Sequence, residues 1–153
     1  MPAVSVAASA AFGSAYAGVE VAITSYAYTC FDIYVGMHQA SSTKLLIGIQ
    51  SSGDNHGNVT TRTYPIQGSD SVVAAGNVVA VVSYSTTNAA CVGAQAIYAS
   101  GGSVTLTSVG QSYTGSFEAT FAEGQVSGTF HSLPTCFGPD ADLQEVGDAG
   151  TCQ

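Results

Sequence analysis

The chain has 153 residues, 46% of them hydrophobic and only 8% charged, with two cations against ten carboxylates and a formal net charge of −8. That length fits one domain and lets a folded chain bury about 68–70% of its unfolded surface. Phosphate backbones and anionic lipid surfaces both need clustered Lys and Arg, so Lys44 and Arg62 alone exclude nucleic acid and acidic membranes as partners. The same scarcity leaves almost no tryptic sites.

In chain order the dominant hydrophobic period is two. "MPAVSVAASAAFGSAYAG" has neither a basic n-region nor a Leu-rich h-region, so residues 1–18 are expected to be an N-terminal strand or tail of a mature protein. Val19, Val21 and Ile23 alternate with Glu20, Ala22 and Thr24; Ile33, Val35 and Met37 form a second alternating run, and Leu45, Ile47 and Ile49 a third. "NVTTRTYPI" reads as an exposed Thr-rich strand ending at Pro65. The continuous apolar run "GNVVAVVSYS" predicts a central strand buried on both faces. "AQAIYAS", "SVTLTSV", "YTGSFEATF" and "VSGTFHS" follow, and turn clusters such as "SSGDNHGN", "QGSDS", "ASGG" and "AEGQ" separate the runs. No helical period persists beyond two turns, and no 18 consecutive apolar residues offer a membrane span. The expected fold is all-β: a single-domain antiparallel β-sandwich of about nine to ten strands over residues 1–153, ending in an acidic loop at 137–153.

A two-residue turn at Glu123-Gly124 would place Phe121 opposite Val126, Ala119 opposite Gly128 and Phe117 opposite Phe130. A second turn at Gln111-Ser112 would place Leu106 opposite Phe117 and Val104 opposite Ala119. The result is a three-stranded meander with these apolar residues, Val126 included, sharing one core. Thr105, Thr107, Ser116, Glu118, Thr120, Ser127, Thr129 and His131 then face outward.

Cys30, Cys91, Cys136 and Cys152 are even in number and include no C-x-x-C pair, so a disulfide framework in an oxidising compartment is expected. Four cysteines allow three connectivities. Asp54, His56 and Asn58 could ligate a metal, but such loops are also what hairpin turns are made of. Asp140, Asp142, Glu145 and Asp148 are the densest carboxylate cluster and the weak calcium candidates, set against a solvated tail tethered by Cys152. The plain reading is preferred in both places, so no metal or other cofactor is expected.

His38, His56 and His131 show no metal-ligand spacing, and no nucleophile motif accompanies them. Glu118 and Glu123 are the glycosidase-like pair, yet one falls mid-strand on an open face and the other at a turn tip, where water is not excluded. No catalytic residue is expected. Tyr26 and Tyr28 share one face of a strand and form the weak candidate for ligand binding, as a platform for glycan stacking. Asn58-Val59-Thr60 is a glycosylation sequon.

From Cys91 to Cys136 the run "CVGAQAIYASGGSVTLTSVGQSYTGSFEATFAEGQVSGTFHSLPTC" resembles secreted, often lipid-anchored all-β proteins of the myxobacterial type. In these a Cys precedes a G-x-V-x-L-T strand, G-S-F-x-x-T-F and G-T-F follow, and a second Cys closes the module. The likeness extends through "TYPI" and "KLLIGIQ" to the Cys30 region, covering about residues 19 to 136. It implies the fold, an extracellular or surface location and a Cys91–Cys136 bridge, leaving Cys30 for Cys152; the family has no established activity, so no functional residues carry over. The expected function is a non-catalytic secreted or cell-surface protein with a structural, adhesive or assembly role, partnered by itself or other surface proteins. A glycan- or peptide-binding module is the alternative, and an enzyme the third.

A Cys91–Cys136 bridge would clamp the first and last strands of the meander and close a loop of about 45 residues, contributing roughly 4 kcal/mol in the chain-entropy picture. Non-reducing peptide mapping with pepsin should return this pair, whereas a Cys30–Cys91 peptide would refute it.

Overall fold

In a computed structural model, residues 3–12, 16–25, 40–52, 59–68, 77–110 and 112–134 are described. Among them are nine strands and no helix: β1 (Ala3–Phe12), β2 (Tyr16–Thr24), β3 (Thr43–Ser52), β4 (Thr63–Pro65), β5 (Val78–Thr86), β6 (Ile97–Tyr98), β7 (Gly101–Ser108), β8 (Ser112–Phe121) and β9 (Gly124–Pro134). They form two antiparallel sheets, ordered β1-β2-β3-β5-β6 and β4-β7-β8-β9, with β6 a two-residue member. Val19, Val21, Ile47, Ile49, Ala80 and Val82 from the first sheet join Tyr64, Val104, Leu106, Phe117, Phe121 and Phe130 from the second in one buried cluster. The arrangement is sandwich-like. The alternating run of Ile33, Val35 and Met37 lies outside the described residues.

The repeat G-x-F explains the β8–β9 hairpin. In antiparallel register Gly115 pairs with Phe130 and Phe117 with Gly128, so each motif's glycine lies opposite the other motif's ring. A Cβ on Gly115 would stand 2.7 Å from Phe130 Cζ, and one on Gly128 would stand 2.9 Å from Phe117 Cε1. Both rings lie flat enough over the facing strand to be buried, with Phe117 at 5% and Phe130 at 1% exposure. Cross-strand aromatic–glycine pairs of this kind pin register in sheets.

This register differs by two residues from the expected one. Phe121 pairs with Gly124, Ala119 with Val126 and, on the other side of β8, Val104 with Phe117 and Leu106 with Gly115. The cause is backbone sterics. A two-residue turn centred on Glu123-Gly124 favours positive φ at both positions, which is costly for Glu. The chain instead turns over Ala122-Glu123 and places only Gly124 at positive φ, 143°. An even shift leaves every side chain on its expected face. It does exchange Val126's partner, Ala119 in place of Phe121, and Val126 is 44% exposed and outside the buried core.

β5 is the expected central strand, buried almost continuously between β3 and β6, although β6 pairs with it over two residues alone among the described ones. Its outer edge is covered by passing chain: Gln67 N–H donates to Ala80 O at 2.9 Å, Ala99 N–H to Val82 O at 2.8 Å and Ala94 N–H to Thr86 O at 2.7 Å. "AQAIYAS" thus contributes only β6, and "NVTTRTYPI" only the three residues of β4.

The same passing segments stitch the sheets together. Ile66 N–H bonds Gly102 O of the second sheet while Gln67 bonds the first; Ala99 bonds the first sheet while Ser100 N–H bonds Thr120 O of the second. Chains that switch sheets make such corners. Tyr64 anchors one of them. It is fully buried, and its hydroxyl donates to Thr60 O and accepts from Thr60 N–H, each at 2.7 Å. A tyrosine bonded to the backbone a few residues upstream is a known corner device of two-sheet proteins. Arg62 lies over its ring at 4.7 Å.

Gly115→Ala should therefore cost about 1–3 kcal/mol, because the new methyl meets the Thr105 carbonyl oxygen as well as Phe130. A fall in Tm of roughly 2–12 °C is expected by calorimetry. Gly68→Ala, with nothing within 4 Å, is the control and should stay within about 0.5 kcal/mol of wild type.

Candidate functional site: a hydroxyl face and an inter-sheet groove

Most of the side chains singled out from sequence lie outside the described residues: Tyr26, Tyr28, Cys30, His38, Asp54, His56, Asn58, Cys136, Asp140, Asp142, Glu145, Asp148 and Cys152. Glu118, Glu123, His131 and Cys91 are described. Among the described residues no three His, Cys, Asp or Glu side chains gather as metal ligands.

The outward face of the second sheet is a ranked array of hydroxyls. Thr63 pairs with Thr105, Thr105 with Ser116 and Ser116 with Thr129, one residue from each of four strands. The next rank holds Pro65, Ser103, Glu118 and Ser127. Thr63 and Thr105 share a hydrogen bond of 2.9 Å between their Oγ1 atoms. A shallow depression of about 540 Å³ lies over these ranks, with Glu118 its one ionisable lining group among the described residues.

The geometry keeps the ionisable groups apart. Glu118 is exposed opposite Ser127, and His131 stands four residues further along β9, about 13 Å at the rise of a strand. Glu123 lies beyond Phe121 at the hairpin tip, more than about 10 Å from Glu118 along β8. Paired glycosidase carboxyls enclose the scissile bond, whereas Glu118 and Glu123 are both exposed, one mid-strand and one at the hairpin tip.

Cys91 is half-buried, with a φ of 57°. Asn88 sets this conformation. Its carbonyl accepts from Cys91 N–H and Ser41 N–H, both at 3.0 Å, and Ser41 is the other described non-glycine residue at positive φ. The Asn88 Oδ1 accepts from Ala90 N–H at 2.8 Å and Val92 N–H at 3.0 Å. One asparagine thus holds two strained backbone positions in place.

An inter-sheet groove was not foreseen from sequence. Ile23, Leu45, Tyr84 and Ile97 pair in succession across β2, β3, β5 and β6, making one apolar row near the end of the first sheet. Opposite stand Phe117, Phe121 and Val126. Tyr84 meets Phe121 edge to face, ring centroids 5.1 Å apart. Two depressions of about 270 and 350 Å³ both border Thr43, Leu45 and Val126, so they are lobes of one groove. Each row member comes from a different strand, and register alone aligns them. The available signal was Val126, an inward-phase apolar residue directly after a turn.

No family model, curated protein or solved structure matches this chain.

Replacing Glu118 and His131 together by Ala should leave the fold intact, each exposed change staying within about 0.5 kcal/mol. Thermal melts of the double variant measure this, and a large loss would mean that the hydroxyl face carries structure.

Proposed function

We propose that this chain is a non-catalytic secreted or cell-surface β-sandwich protein with a structural, adhesive or assembly role. The observation that supports the reading is the exposure of Glu118, Glu123 and His131 at separate points of an open face and a hairpin tip, so that among the described residues no acid–base pair is enclosed from water. The hydroxyl ranks around Glu118 suit adhesion through many weak polar contacts. Four cysteines without a C-x-x-C pair support an oxidising compartment, and Cys91–Cys136 with Cys30–Cys152 are the proposed bridges. The resemblance to secreted, often lipid-anchored myxobacterial-type proteins supports the same location. No cofactor enters this reading.

The inter-sheet groove favours a second reading, an extracellular ligand-binding module. Clefts of a few hundred Å³ with apolar walls and sparse polar groups are what small ligands occupy.

Light scattering of the purified chain, with a glycan array, separates the two. Filaments or large closed oligomers are expected for an assembly subunit; a monodisperse monomer that captures a glycan favours the binding module. Hydrolysis of any arrayed glycan would overturn the non-catalytic reading.

A further inference from the structure

The groove has a length, a floor and a rim, and together they select a ligand. Its floor row, Ile23, Leu45 and Tyr84, crosses three strands, two inter-strand steps, or about 10 Å at the usual strand spacing. Ile23, Leu45 and Tyr84 are half-buried and pack on the core, while Val126 is 44% exposed. Apolar surface is therefore presented in a narrow line rather than as a broad patch. This shape suits an extended chain better than a flat partner surface.

The rim is hydroxylic. Ser25, Thr43, Ser127 and Thr129 border one lobe, Glu123 and Gln125 the other. Neither Lys44 nor Arg62 lines either lobe among the described residues. An anionic head group would meet no counter-charge there, would face Glu123, and would enter the field of a chain with net charge −8. Hydroxyls both donate and accept, so they match an uncharged hydroxyl-bearing head.

We propose that the groove between the Ile23–Leu45–Tyr84 row and Val126 binds the alkyl chain of an uncharged, hydroxyl-headed amphiphile. The assignment rests on the ligand-binding reading above. Val126 closes over the chain, and the rim hydroxyls hold the head.

Titration calorimetry with hexyl, heptyl and octyl glucoside, each below its micellar concentration, tests it. Affinity should rise by up to about four-fold per added CH₂, the ratio for complete burial of a methylene. Octanoate should bind at least about ten-fold more weakly than octyl glucoside. Val126→Gln alters an exposed side chain, so the variant should melt within a few degrees of wild type while losing about ten-fold in octyl glucoside affinity. Equal binding by this variant, no dependence on chain length, or octanoate binding as tightly would overturn the proposal. So would self-association abolished by Val126→Gln, which would assign the groove to a second copy of the chain. Glycan capture with every alkyl probe failing would remove the groove assignment yet leave the ligand-binding reading standing. Failure of both removes both.

Discussion

Two aromatic rings, each lying where the facing strand has no side chain, organise this molecule. Phe117 over Gly128 and Phe130 over Gly115 are related by the antiparallel symmetry of β8 and β9, which is why the same G-x-F words occur on both sides of the turn. Sliding the strands by two residues would set Phe117 against Phe130 and Gly128 against Ala119, crowding one rank and emptying the next. The register is thus held by volume, in a hairpin with few charges to specify it otherwise. Once it is held, Tyr64, Val104 and Phe117 align in one inward rank and the second sheet presents a continuous surface to Val21, Ile47 and Ile49.

Much of this was legible because period two survives local error. Val19, Val21, Ile47, Ile49, Val104, Leu106, Phe117, Phe121 and Phe130 are all buried, and Glu118, Thr129 and His131 are all exposed, although the expected pairing was two residues off. An even slip changes partners without changing faces. The cost of positive φ at Glu123 decides between the two turns, and it outweighs the Glu-Gly composition that suggested the other. Hydrogen bonding across β5's edge was less legible. Continuous burial of Val78, Val79 and Ala80 resembles a central strand whether the covering chain is another long strand or a pair of corners at Gln67 and Ala99.

Those corners explain where the groove lies. Ile66-Gln67 and Ala99-Ser100 each bond both sheets, so the sheets are tied along the side where β4 and β7 meet β5 and β6. β1 and β9 approach one another along the opposite side. Neither tie reaches between the Ile23–Leu45–Tyr84 row and the β8–β9 hairpin tip. There the inward rank of the second sheet is Gly102, Ala119 and Val126, small side chains that leave space above the facing row. The groove follows from the Gly–Phe solution: rings concentrated in two ranks leave the next rank without bulk.

A charge-poor chain must recognise through shape and neutral hydrogen bonds, and the two faces of the second sheet divide these means. Outward, the ranks of Thr63, Thr105, Ser116 and Thr129 offer hydroxyls already partly satisfied by one another, as in the Thr63–Thr105 bond. Such groups lose little on exposure and gain little on contact, since a neutral hydrogen bond exchanged with water is worth about 1 kcal/mol net. Avidity over many copies is what that face can supply. Inward, Val126 leaves apolar surface in water, where covering each Å² returns about 25 cal/mol and one small ligand suffices. The two proposed roles therefore draw on surfaces that meet at Ser127 and Thr129, and a variant such as Val126→Gln changes the groove without changing the hydroxyl ranks.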